Sequence, residues 1–158
     1  MPSSPVVSST PWVTWLLIVT GWVVVHYLTL TRERQKEVRD LKMRLVDRIL
    51  EVERRGCLFH QAAIFSPDEA GALVAEIGRI SAEIARLPLS TLRVPKKAVV
   101  RFRASITLAN FDLTRFQPQP ATSLLLSNIS LAAEGLINAL EHAYDARYLS
   151  RWWQAFRI

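Results

Sequence analysis

The chain has 158 residues, a net charge of +6 and a single cysteine. That length holds one modest domain, or a smaller domain with an anchor. One cysteine excludes an internal disulfide and fits a reducing compartment, with Cys57 read as inert packing. The charge is unevenly spread: Met1 to Leu30 contains no Asp, Glu, Lys or Arg, so all charge follows. Such asymmetry calls for two solvents. The tryptophans cluster at the two ends, Trp12, Trp15 and Trp22 near the start and Trp152 and Trp153 near the finish.

In chain order, residues 1–9 read as a short external leader and residues 10–31 as a transmembrane anchor. The run "PWVTWLLIVTGWVVVHYLTL" (11–30) spans about 30 Å as a helix, the thickness of a hydrocarbon core. Thr10 suits the N-cap and Pro11 the first helical position. Trp12 and Trp15 make one interfacial belt; Tyr27 with Arg32, Arg34 and Lys36 makes the other. The leader has no cation and "VHYLTLTRER" is no cleavage site, so the anchor is expected to stay uncleaved. Cations flank only its C-terminal end, which places the N-terminus outside and residues 32–158 in the cytoplasm. His26 lies near the basic edge and reads as an interfacial imidazole; a proton path is the other reading of an ionisable group in a membrane.

Residues 32–56 are expected to continue as a juxtamembrane helix stopped by Gly56. Val38, Leu41, Leu45, Ile49 and Val52 form its apolar stripe, and Asp40–Arg44 and Glu51–Arg55 are acid-before-base pairs at i,i+4. Acids mixed among the bases argue against nucleic acid as the partner. The segment "RERQKEVRDLKMRLVDRILEVER" (32–54) resembles the juxtamembrane region of small, N-terminally membrane-anchored bacterial helical proteins, in which an R-x-R-x-K run leads into R-D-L. That resemblance implies a bacterial inner-membrane protein, and it extends to accessory or effector components of mobile-element and phage-defence loci.

Residues 57–146 read as a cytoplasmic helical domain. "SPDE" (66–69) opens a helix with Ser66 as cap and Glu69 closing a capping box. Behind it Ala70, Leu73, Ile77, Ile80, Ile84 and Leu87 follow a three-four spacing, a narrow seam suited to a partner helix. Residues 90–108 are ambiguous. "VVRFRASITL" alternates as a strand that pairs with "STLRV" in a β-hairpin, yet Val99, Phe102, Ile106, Ala109 and Leu113 also share a helical face entered through Pro95. "RFQPQPA" (115–121) reads as a loop.

Leu126, Ile129, Ala133, Leu136, Leu140 and Ala143 mark a last, broader helix. A second membrane span over 121–140 competes with that reading, though Asn128, Glu134 and Asn138 interrupt it. The tail 147–158 gathers Trp152, Trp153 and Phe156 beside arginines, which suits either the membrane interface or packing on the bundle.

The fold expected is mainly α: a single transmembrane helix continuing into a small helical bundle. His26, His60 and His142 match no metal spacing, and no phosphate loop or nucleophile motif occurs. No cofactor and no enzymatic activity are expected. The function expected is interaction: holding a protein partner, or a homo-oligomer, at the lipid bilayer. The competing function is a membrane-acting effector that perturbs it.

Overall fold

The computed structural model describes residues 11–86 and 94–148. Four helices follow one another: α1 (Pro11–Gln61), α2 (Pro67–Arg86), α3 (Lys96–Thr107) and α4 (Leu124–Tyr148). The described residues contain no strand. The chain divides between Asp40 and Leu41 into two units.

Unit 1 is the N-terminal part of α1. From Trp12 to Arg34 every described side chain is exposed, apolar ones included. The polar minority is satisfied locally, as Thr29 Oγ1 donates to Val25 O at 2.9 Å and Thr31 Oγ1 to Tyr27 O at 2.8 Å.

Unit 2 is a helical bundle around one core. Leu45, Ile49, Val52 and Phe59 of α1 are buried at steps that follow the helical period. Gly56 lies in this row and does not stop the helix, which runs on to Gln61. Its φ is not left-handed, the feature that makes glycine a helix terminator. A Cβ there would lie 3.5 Å from Ile106 Cγ1 of α3, so the glycine sits where the two helices meet.

α2 opens as expected, with Glu69 N donating to Ser66 Oγ at 3.3 Å. The reciprocal half of a capping box is absent, because the Glu69 carboxylate takes Arg55 of α1 instead, at 2.8 Å. Arg55 therefore joins two helices, while Glu51 pairs with Arg54 one turn on. Ala70, Leu73, Ile77 and Ile80 are buried.

Residues 96–107 are helical, which removes the hairpin reading over that span; residues 90–93 lie outside the described residues. The burial pattern supplies the reason. A strand would place Val100, Phe102, Ala104, Ile106 and Leu108 on one face, but Val100 is 64% and Leu108 85% exposed, whereas Phe102 and Ile106 are fully buried one helical turn apart. No second strand is present among the described residues to complete the ladder. The helix ends before Ala109 and Leu113, which are exposed rather than part of its inner face.

α4 starts with Leu126 N donating to Ser123 Oγ at 3.3 Å. Its Leu126, Ile129, Ala132, Ala133, Leu136 and Leu140 are buried in unit 2, with Asn128, Glu134 and Asn138 exposed opposite. That division makes it an amphipathic core helix, so the reading of 121–140 as a second span is not upheld.

Candidate functional site

Two surfaces follow from these placements, one apolar and one polar. The apolar one is unit 1. Among the described residues, α1 is the helix long and apolar enough to cross a membrane. Trp12, Trp15, Trp22 and Tyr27 are between 64% and 70% exposed, and no side of the segment is covered. A soluble helix normally hides one face, so an apolar surface this continuous calls for an apolar surrounding. Arg32, Arg34 and Lys36 follow directly and are exposed. The His26 ring stacks on Trp22 one turn earlier, with centroids 5.2 Å apart and planes within 2°. Indole and imidazole thus cover each other on one face. Trp152, Trp153 and Phe156 lie outside the described residues.

The expected seam of α2 turns inward. Leu73, Ile77 and Ile80 fill the core of unit 2, Ile84 is half-buried, and Leu87 lies outside the described residues. In the single chain this row holds the unit together. What α2 offers its neighbour besides is charge. Arg48 of α1 reaches between Glu76, at 2.6 Å, and Glu83. The pairing lifts the Arg48 guanidinium and lowers the Glu76 carboxyl, each chiefly through their shared hydrogen bond. Arg79 also reaches Glu76, at 3.1 Å. Arg48, Ala75, Gly78, Arg79, Ala82 and Glu83 line a shallow open groove beside these pairs. On the other side of α1, Lys42 lies 4.0 Å from Glu141 and 4.9 Å from the ring centre of Tyr144, both on α4.

Sequence reasoning missed a buried polar cluster at the end of α1. His60 is fully buried, and its Nε2 is 3.0 Å from Ile106 O. A carbonyl only accepts, so Nε2 carries the proton. Nδ1 then accepts, facing Asn110 Nδ2 at 3.4 Å. Burial holds the imidazole below its usual pKa, the bond to Ile106 opposing in part. Asn110 has φ 55°, the left-handed region that asparagine tolerates better than most residues. Its amide closes the following loop at both ends, donating to Gln117 O at 2.8 Å and accepting from Gln117 N at 2.7 Å. Gln119 N donates to His60 O at 2.8 Å. Phe59, Phe65, Phe111 and Phe116 pack round this strap, with Phe59 centroids 5.2 to 5.5 Å from the other three.

Among the described residues no buried side-chain nitrogen or oxygen lacks a partner, and the bonds of His60 and Asn110 make the cluster a fastening for the loop between α3 and α4. A signal was present in the sequence: a phenylalanine adjoins each of the two polar residues, Phe59 before His60 and Phe111 after Asn110. Cys57 is half-buried nearby, and burial first, then Glu53, pushes its thiol up, away from the thiolate that a nucleophile needs. Among the described residues, no group of three His, Cys, Asp or Glu side chains is placed to hold a metal.

Comparison with known proteins gives no match: no protein-family model, no curated protein and no solved structure is similar to this chain at a significant level.

Proposed function

We propose that the chain is a membrane-anchored assembly protein. Residues 10–31 span a bacterial inner membrane with the N-terminus outside, and the helical unit from Leu41 onward holds a protein partner, or further copies of the chain, at the cytoplasmic face. The observation that carries this reading is the uncovered apolar surface of residues 12–31, followed at once by exposed Arg32, Arg34 and Lys36. In water that surface forfeits about 25 cal/mol for every Å² left wet; in lipid the cost vanishes. The basic flank supports the orientation, because cations are retained on the cytoplasmic side. Lipid and a protein are the partners proposed; the chain is given no cofactor and no reaction.

Membrane extraction tests the anchor. The intact chain should stay with the pellet in high salt and at alkaline pH and leave it only in detergent. An intact chain that is freely soluble and monomeric without detergent or lipid overturns the reading. Reporter fusions to the C-terminus test the orientation, a periplasmic signal being the adverse result. A pull-down from detergent-solubilised membranes then reads the partner, whether a second protein or the chain itself.

The competing reading is an effector that perturbs the bilayer. It is supported by the resemblance of residues 32–54 to anchored proteins of defence loci and by the bare flanks of α1, which permit several anchors to associate. It predicts that overexpression collapses the membrane potential in a manner dependent on residues 10–31 or 147–158. Benign accumulation favours the tether.

A further inference from the structure

α3 differs from the other helices in how its charge is arranged. Lys96, Lys97, Arg101 and Arg103 are all exposed, and the helix contains no acid. Elsewhere in unit 2 several cations are engaged, Arg48 with Glu76 and Glu83, Arg54 with Glu51, Arg55 with Glu69, Arg79 with Glu76 and Lys42 with Glu141, whereas α3 groups four cations on one short helix. Among the described residues none of the four α3 cations is in an ion pair. The sequence around them is equally one-sided, since no Asp or Glu occurs between Glu83 and Asp112.

The placement also runs against the needs of the helix. Pro95 precedes α3 without a side-chain cap, and the first turn carries two lysines and no acid. Cations at a helix N-terminus meet the positive end of its dipole and are disfavoured there. Helix stability does not account for the two lysines.

With 100° per residue, the face of α3 opposite Phe102 and Ile106 carries Lys97, Val100 and the half-buried Ala104 and Thr107, with Lys96 and Arg101 at its margins and Leu108 just past the helix end. Val100, 64% exposed, stands among the four cations. Leu108, 85% exposed, follows at the C-terminal end of the same face.

We infer that this basic and apolar face of α3 docks on the surface of an anionic phospholipid bilayer, the cations meeting phosphate headgroups and Val100 and Leu108 entering the interface. The combination of lysine and arginine with bare aliphatic side chains is the chemistry of a helix lying in that interface. A nucleic-acid strand is less well matched, because the aromatic residue of this helix, Phe102, faces the core and leaves no stacking platform outside. The inference rests on the anchored reading in one respect: the membrane-spanning segment keeps α3 at high local concentration near lipid, so a weak surface contact suffices.

The test uses the full chain with Cys57→Ser and Val100→Cys, labelled at residue 100 with an environment-sensitive nitrobenzoxadiazole dye. The labelled chain is reconstituted into vesicles of zwitterionic lipid alone or mixed with anionic phosphatidylglycerol. The expected result is a blue-shifted, brightened emission only with the anionic lipid, abolished at about 1 M salt, where the screening length falls to about 3 Å. Each cation near an anionic leaflet multiplies the contact constant about fivefold, so Lys97→Gln with Arg101→Gln should lower it about 25-fold. Arg115→Gln, an exposed cation off α3, should leave it unchanged. These substitutions touch no ion pair among the described residues, and removing a first-turn lysine relieves the helix, so loss of folding does not mimic the outcome.

Identical spectra in both lipids overturn the inference. A shift insensitive to the double substitution does so as well, and so does a response only to an added double-stranded oligonucleotide. Flotation with zwitterionic vesicles at high salt separates the two readings. A chain that floats while the dye stays silent loses only the α3 contact. A chain that fails to float there, yet floats with anionic vesicles and shows the shift, loses the membrane span and keeps the contact.

Discussion

At the scale of single residues, His60 has the most to say about conditions. Burial favours its neutral form, so the folded chain binds that proton more weakly than the unfolded chain, whose reference value is 6.5. Above pH 6.5 both states keep the ring neutral and its contribution is fully present. As pH falls below 6.5, the unfolded chain takes up the proton first, and stability declines until the folded imidazole titrates too. The lowered carboxyls Glu76 and Asp112, with reference values of 4.5 and 3.8, act in a more acid window. Unfolding of the detergent-solubilised chain should therefore occur at lower temperature at pH 5 than at pH 7.5, and His60→Gln should flatten that interval. An unchanged slope in the variant would place the effect elsewhere. Gly56 gives a second expectation, of opposite sign to what a helix-stopping glycine implies. An added Cβ meets Ile106 side-chain atoms at 3.5 to 3.6 Å, an ordinary contact, while alanine gains about 0.5–1 kcal/mol in a helix interior. Gly56→Ala should be neutral to stabilising in a denaturant melt. Gly56→Leu overfills the crossing and should cost about 1–3 kcal/mol.

At the scale of helices, the largest single contribution should come from the shortest one. Phe102 of α3 is fully buried, and Phe102→Ala removes its ring from the core, a change worth about 3–5 kcal/mol in a chevron or melt. Helix-to-helix charge is weaker. Arg48 is about one-third exposed, and a double-mutant cycle with Glu76 should return about 1 kcal/mol, shrinking as salt rises. These helices were legible in the sequence to differing degrees, for a physical reason. α2 and α4 announce themselves through Ser66 at one start and through apolar rows at three-four spacing, all local signals. α3 did not, because ten residues that alternate and also fit a helical period carry both answers; the burial of Phe102 and Ile106 one turn apart, with Val100 and Leu108 exposed, decides between them. The reach of α1 past Gly56 depends on Ile106, and the His60 fastening depends on a carbonyl 46 residues away and an amide 50 residues away. Contacts at such separation leave no periodic trace. Arg55 shows the same limit: its spacing from Glu51 favours a pair within α1, yet Glu69 on α2 takes it.

At the scale of the whole molecule, the division between Asp40 and Leu41 has a direct consequence. Unit 2 owns its core, from Leu45 of α1 to Leu140 of α4, and none of the buried hydrophobic side chains belongs to residues 12–40. The exposed apolar side chains from Trp12 to Leu30 therefore contribute solvent preference rather than fold. Removing residues 1–40 should leave a chain that is soluble without detergent, retains its helical circular dichroism and unfolds in a single cooperative step. The N-terminal cut leaves α1 beginning at Leu41, four residues before its first fully buried side chain, so fraying of the new end does not reach the core. Size-exclusion chromatography of that fragment would then separate the two kinds of assembly proposed. An oligomer places self-association in the bundle surface, and a monomer leaves it to the anchors, as the effector reading requires, or gives the bundle to a different protein. A fragment that aggregates or loses its helicity would mean that the bundle needs the apolar segment to fold, and the partition into an oil-facing helix and a water-facing core would be wrong.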